Sequence, residues 1–488
     1  MNRSSRPHRW PVMPVFCGYP LLMLLGLLAG APALASAQSV AALEARVADL
    51  ERELQQASAA LEQARASAAE AQTQVKTLEQ RHGDIVIGPL TIGGAMRINY
   101  VRGDYEKNGE APQRGGNGGN MELDTFRINV DLQHEQLIGQ LQYRWYDGYN
   151  FLHTGWIGYD FEDHGKIQAG LTRVPFGAGP YGVSQSWFFD QHYYVGLADD
   201  MDVGIKYLRE TGNWNFALAY FVSSERSWNG ASEDAARYGY DFVRWESAID
   251  QDGAVTSAAV NGYEERNQVN LRAIYNFADS RIPTELGFSL QAGELQGKRT
   301  DDGDHLAASV HMINRAGNFT LGTQLTRYEI DIDADNLLGT DELIPMGAYD
   351  FAWPVATEAW LPAVSLSYRH TTANIPWLDY VLPYVEYSGI LKDSDLANDS
   401  EMITLGAAWS RGGWYIYSDL VYSNGNYFVG NDGDDGQEPV RPDPKLPREH
   451  LRGFDAGKEP RRVGGRVDGV AVQRHGQRLF VVLQELAN

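Results

Sequence analysis

The sequence predicts an all-β protein, a transmembrane antiparallel β-barrel of about 16 strands preceded by an N-terminal α-helical coiled coil. Three observations predict this. From residue 85 onward, apolar residues recur at every second position in segment after segment. The connections between these segments alternate between very short and long. Ahead of them, residues 38–82 hold a strict three-and-four apolar spacing with no Gly, Pro, Tyr, Trp or Phe.

The chain begins with Arg3, Arg6 and Arg9, then an apolar core at Pro20–Gly30, then Ala35-Ser36-Ala37. A basic start, a short apolar core and a small-x-small site make residues 1–37 a secretory signal peptide. The core is too short to span a bilayer as a helix, and no later stretch reaches the roughly 18 apolar residues that such a span needs. The only cysteine, Cys17, lies inside the leader, so the exported chain owes nothing to disulfides or cysteine metal sites.

In residues 38–82 the seam runs Val40, Leu43, Val47, Leu50, Leu54, Ala57, Leu61, Ala64, Ala68, Ala71, Val75, Leu78. Its 3.5-residue period is that of a left-handed coiled coil, and Arg46 with Glu51 offers one flanking charge pair. We read it as an oligomerisation segment that ends at His82-Gly83-Asp84.

The period then changes to two. Thr125–Leu132 sets Phe126, Ile128, Val130 and Leu132 against Arg127, Asn129 and Asp131. Leu137–Tyr146, Trp214–Val222, Gln268–Phe277 and Thr284–Ala292 alternate in the same way. So do segments near 90–101, 154–161, 166–172, 203–209, 306–313, 318–328, 362–369, 380–388, 401–409 and 413–422. Strands of this kind suit a soluble sandwich or a barrel in a bilayer. Tyr and Trp at the ends of the apolar parity favour the barrel. So do short turns such as Glu162–Gly165 set against long acidic loops such as Ser223–Arg266 and Ile330–Ala356. The barrel is placed at 85–436. Residues 437–488 hold ten basic and seven acidic residues with no Trp or Tyr. This atypical Pro/Arg-rich tail reads as disordered or as the product of a reading frame shifted near Gly436.

The net charge of −23 argues against a nucleic-acid partner, because phosphate contacts need a basic face. There is no His-Glu-x-x-His, no Gly-x-Ser-x-Gly and no phosphate loop, and Gly182-Val-Ser184-Gln-Ser186 lacks the closing glycine of a nucleophile elbow. No enzymatic activity and no resident cofactor are expected.

One stretch is more specific. It reads Gly-Leu-Thr-Arg-Val-Pro-Phe-Gly at 170–177, then Phe188-Phe189, then Asp202-Val-Gly-Ile-Lys-Tyr207. Together with the leader, the coiled coil and the cysteine-free strands, it resembles outer-membrane porins of the phosphate-selective porin O/P type over roughly residues 85–430. The resemblance implies a homotrimer of barrels in the outer membrane of a Gram-negative bacterium, bedded in lipid and lipopolysaccharide, with the coiled coil in the periplasm. It implies ion transport by a water-filled channel that passes small hydrophilic solutes or anions by diffusion. The chain departs from that family at its end, Gln484-Glu-Leu-Ala-Asn488, where an aromatic residue is usual.

Inward parity makes Arg97, Arg127, Arg144, Lys206, Arg272 and Arg369 candidate pore-lining cations, opposite Asp131, Asp160, Glu285, Glu386 and Asp419. This is a mixed wall, so phosphate is not carried over as the substrate. The loop between Pro175 and Asp202 is the candidate constriction, with Trp187, Asp190, His192, Tyr193 and Tyr194, entered past Arg173. Its aromatic residues suit either a lined pore or a loop packed on the barrel wall. Asp331, Asp333, Asp335 and Glu342 approach calcium-loop spacing in a long outer loop, with Asn336 where such loops carry Gly. Two other functions stay open: a structural barrel with a plugged lumen that tethers the envelope through its coiled coil, and a secreted β-rich carbohydrate-binding protein.

Overall fold

The computed structural model describes residues 85–102, 120–146, 148–230, 235–244, 247–249, 255–257, 262–336, 338–349, 351–372, 374–394, 396–424 and 478–486. The expected leader and coiled coil, 1–82, lie outside the described residues.

Among the described residues, sixteen long strands form the wall: β1 (Leu90–Arg102), β2 (Asn120–His134), β3 (Leu137–Trp145), β4 (Asn150–Asp160), β5 (Lys166–Arg173), β6 (Met201–Thr211), β7 (Trp214–Ser224), β8 (Tyr263–Phe277), β9 (Thr284–Gly297), β10 (Gly303–Ala316), β11 (Phe319–Asp331), β12 (Glu358–Tyr368), β13 (Tyr380–Lys392), β14 (Ser400–Arg411), β15 (Trp414–Asn424) and β16 (Arg478–Leu486). Each pairs antiparallel with the next. Finally β16 pairs with both β15 and β1, so the sheet closes on itself and no edge is left along the ring. Ile85–Ile87 folds back on β1, and His370–Thr371 adds to β13. Every alternating segment read from the sequence overlaps one of β1–β15. The sixteenth strand comes from the compositionally distinct segment 437–488.

Connections alternate along the ring. One end carries tight turns at 135–136, 212–213, 317–318 and 412–413, and the other carries the long segments 174–200, 225–262 and 332–357. Two of these long segments contribute Asp241–Phe242, Leu343–Ala348 and Phe351–Ala356, which join in a small separate sheet.

The two faces of the wall are the reverse of a soluble sheet. Along β7, Leu218 is 53% exposed and the next residue, Ala219, 3%. Along β9, Phe288 is 41% exposed and Ser289 fully buried. Outward positions are apolar, while Asn99, Thr172, Asn270, Gln291, Ser309, Thr326 and Thr404 turn inward and are buried. Exposed aromatics gather at both rims. Trp214, Phe277, Phe319 and Trp414 stand at the tight-turn end, and Trp145, Trp360 and Tyr422 at the other. An apolar band between two aromatic belts is the surface that a bilayer solvates.

Candidate functional site

Between β5 and β6, residues 174–200 leave the wall and cross the barrel interior. A chain there has no ladder partner, and its buried N–H and C=O groups must be satisfied in another way. The inward polar side chains of the wall satisfy them. Gly177 N donates to Ser289 Oγ at 3.1 Å, and Ala178 N to Gln324 Oε1 at 3.0 Å. Arg272 donates to the carbonyls of Gly177 and Ala178 at 2.8 and 2.9 Å. The Glu386 carboxylate accepts from Ser184 Oγ and from Gln185 N, both at 2.5 Å, and from Ser365 Oγ at 2.8 Å. Asp419 accepts from Trp187 N at 3.1 Å, and Gln191 N donates to Ser388 Oγ at 3.2 Å. At the loop's entrance, Lys206 Nζ donates to Arg173 O at 2.7 Å. The loop is thus tied to β6, β8, β9, β11, β13 and β15.

Glycines with positive φ make its turns possible. Gly177 and Gly182 both have φ of +62°. A Cβ on Gly182 would also lie 1.9 Å from Asp190 Oδ2. That close approach exists because Asp190 is an internal staple. Its carboxylate accepts from Val183 N at 2.8 Å and His192 N at 3.0 Å, and lies 2.9 Å from His192 Nδ1. The other ring nitrogen of His192 is 2.8 Å from Thr326 Oγ1 on the wall. Tyr193 meets the Tyr349 hydroxyl, and Tyr194 donates to Phe188 O at 2.8 Å. Asp190, His192, Tyr193 and Tyr194 are therefore buried fixing points of the loop. Tyr193 and Tyr194 belong, with Phe188 of the same loop, to an apolar cluster that also takes in Tyr238, Tyr240, Phe242 and Met346 from the other long segments.

Trp187 is placed differently. The Arg97 guanidinium lies 5.3 Å over its ring. Arg97 sits opposite Thr125, Ala95 sits opposite Arg127, and Arg127 sits opposite Arg144, so β1, β2 and β3 carry three arginines side by side. All three line one small cavity with Thr125 and Tyr146. Arg97 pairs with Asp124 and donates to Thr125 Oγ1 at 3.0 Å. Arg144 stacks 4.4 Å over Tyr238. Arg127 Nε is buried without a hydrogen-bond partner among the described residues. Arg173, at the loop's entrance, binds Asp199 at 2.7 Å. Burial pushes the Asp199 carboxyl up, but Arg173 and His153 outweigh it and hold the group well below the usual carboxylate range.

The structure thus brings Arg97, Arg127 and Arg144 together, with Trp187 against Arg97, and places Lys206, Arg272, Glu386 and Asp419 as holders of the loop. It does not bring in the others. Asp131 is exposed and accepts from Gln140 at 3.0 Å. Asp160 pairs with Lys166 at 2.9 Å beside a tight turn. Glu285 faces His311 at 3.3 Å. Arg369 is exposed just past β12, 3.7 Å over Tyr380. In the outer loop, Asp331 and Asp333 line an acidic groove with Asp301, Asp302, Asp304 and Asp341. Asp335 is bonded to Thr300, and Glu342 accepts from Ser394 Oγ at 2.7 Å.

Sequence reasoning missed the partners that hold the loop, among them Ser289, Gln324, Thr326 and Ser388. Each is an inward small or amide residue in an alternating strand, and nothing in its neighbours distinguishes it from the rest of that parity.

No family model and no curated protein sequence matches the chain. Among solved structures, OmpF of Salmonella typhi in complex with daunomycin is similar at 10% identity, covering 83% of this chain and 99% of that one, with a TM-score of 0.47. An anion-selective porin from Comamonas acidovorans is similar at 11% identity, with coverages of 81% and 98% and a TM-score of 0.46. The outer membrane channel DcaP of Acinetobacter baumannii is similar at 8% identity, with coverages of 81% and 96% and a TM-score of 0.44.

Proposed function

We propose that the protein is an outer-membrane porin, a channel for passive diffusion of small hydrophilic solutes with a preference for anions. One observation carries the anion preference: Arg97, Arg127 and Arg144 stand on adjacent strands and line one cavity, with Trp187 of the constriction loop under Arg97. Clustered guanidinium groups at a narrow point raise the local anion concentration and the barrier to cations. Acids near the loop have other work. Glu386 and Asp419 are spent on its backbone N–H groups, and Asp124 offsets Arg97 alone of the three arginines. The apolar outer face and its two aromatic belts support placement in the outer membrane of a Gram-negative bacterium. Association of barrels into trimers, with residues 38–82 as a periplasmic coiled coil, belongs to the same reading.

The test is reversal potential in planar bilayers under a salt gradient. The wild type should pass anions in preference to cations. Arg97→Ala, Arg127→Ala and Arg144→Ala combined should shift the potential toward cations while the barrel still folds. An unshifted potential refutes the anion preference.

A second reading, a structural barrel with a plugged lumen, is supported by the apolar cluster that joins the loop to the segments 225–262 and 332–357. Absence of any conductance from folded protein would favour it.

A further inference from the structure

We propose that the protein binds a calcium ion where the constriction loop rejoins the wall, held by Asp200, Asp202, Glu225 and Asp241. These residues come from different parts of the chain: the end of the loop, β6, the residue after β7, and the short strand Asp241–Phe242. One carboxylate oxygen from each lies within 4.8 Å of the other three. All four side chains are more than nine-tenths buried. Asp200 Oδ1, Asp202 Oδ1 and Glu225 Oε2 have no hydrogen-bond partner among the described residues. A buried carboxylate oxygen left bare costs free energy that a bound cation removes.

The backbone makes room for the convergence. A Cβ on Gly239 would stand 3.0 Å from Asp200 Oδ1 and from Glu225 Oε1, and 3.5 Å from Asp241 Oδ2. The remaining oxygens are used for aim. Asp202 Oδ2 accepts from Gln268 Nε2 at 2.8 Å, and Glu225 Oε1 from Gly239 N at 2.9 Å. Charge is far from balanced. Arg237 reaches Asp241 at 3.2 Å, while Glu265 adds a fifth buried carboxyl beside Asp241.

The donor set selects the ion. It is all oxygen with neither thiolate nor imidazole among the four, which suits a hard cation. Oxygens on opposite sides of a calcium ion are about 4.6–5.2 Å apart, and across magnesium only about 4.2 Å. The four oxygens lie within 4.8 Å of one another, a separation that a calcium shell spans. The ion would fasten the loop's return and the segment around Asp241 to two wall strands. This site is separate from the acidic outer groove at Asp331 and Asp333.

The experiment is calorimetric titration of calcium chloride into full-length protein, folded in detergent and stripped with EDTA, with thermal unfolding in parallel. The wild type should bind one calcium per chain at this site and unfold at a higher temperature with it. Asp202→Asn with Asp241→Asn should abolish that heat and the calcium-dependent rise. Without calcium this variant should still fold, judged by heat-modifiable migration on gels, so loss of binding is separable from misfolding. Asp331→Asn with Asp333→Asn should keep both effects. No saturable heat in folded wild type overturns the proposal. So does heat that survives in the first variant, or heat that disappears only in the second.

Discussion

Replacing Glu386 with alanine isolates what holds the constriction loop inside the barrel. The carboxylate accepts three hydrogen bonds, two of them from the loop, at Ser184 Oγ and Gln185 N. The site is buried, so the released donors find no water in the closed state. Hydrogen bonds to a carboxylate contribute about 1.5–3 kcal/mol each, and the pair is not fully additive, so the loop should lose about 3 kcal/mol. That is roughly a 100-fold rise in the equilibrium for local opening. The assay uses the chain's scarcity of cysteine, whose only member is Cys17 in the expected leader. Val183→Cys places a thiol on a buried loop position, 5% exposed. Labelling by a water-soluble thiol reagent should speed up roughly 100-fold when Glu386→Ala is added, in the limit where opening is faster than reaction. Glu386→Gln, which keeps an acceptor, should give a smaller rise. The wall should remain folded, judged by heat-modifiable migration on gels. Labelling at the unaltered rate would refute the anchoring argument. Global unfolding would show that the residue serves the wall instead.

Other predictions follow from the same geometry. Gly182→Ala should destabilise the loop by about 1–3 kcal/mol through its positive φ and the clash with Asp190, read as faster labelling at Val183→Cys. Leu218→Arg, outward and 53% exposed, should weaken folding into lipid vesicles by about 2–4 kcal/mol, measured by urea titration. No effect there would count against the membrane placement and in favour of a secreted protein. Ser388→Ala removes a single neutral acceptor from Gln191 N and should cost the loop about 1 kcal/mol, well under the effect of Glu386→Ala.

The sequence made the wall legible because a strand's two faces alternate whatever the rest of the chain does. Phe126 and Arg127, or Phe288 and Ser289, declare their sides through local chemistry alone. Strand β16 did not declare itself. Its residues Leu479–Leu483 form a continuous apolar run without alternation, embedded in a segment of different composition. Only pairing with both β1 and β15 assigns it to the ring. Parity also identified the inward charges, but parity has no depth coordinate. Arg97 and Arg369 share one parity, and one stands over Trp187 while the other lies exposed past β12. The constriction loop was legible as a loop, from Pro175, its glycines and its aromatic residues. The roles inside it were not. By their chemistry Asp190 and Tyr193 suited either a lined pore or a packed loop, and only the fold shows them buried by contacts to Val183, His192 and Tyr349.

The sequence alone determined the class, the alternation of short turns and long loops, fifteen of the strands and the position of the inward-turning segment. Those are properties of residues near each other in the chain, so local pattern carries them. Tertiary structure alone decided which side chains meet. Asp200, Asp202, Glu225 and Asp241 converge only because the loop, β6 and β7 come together, and Arg97, Arg127 and Arg144 align only through the register of β1, β2 and β3. Register and convergence are set by the closing of the whole ring, which no local stretch of sequence contains.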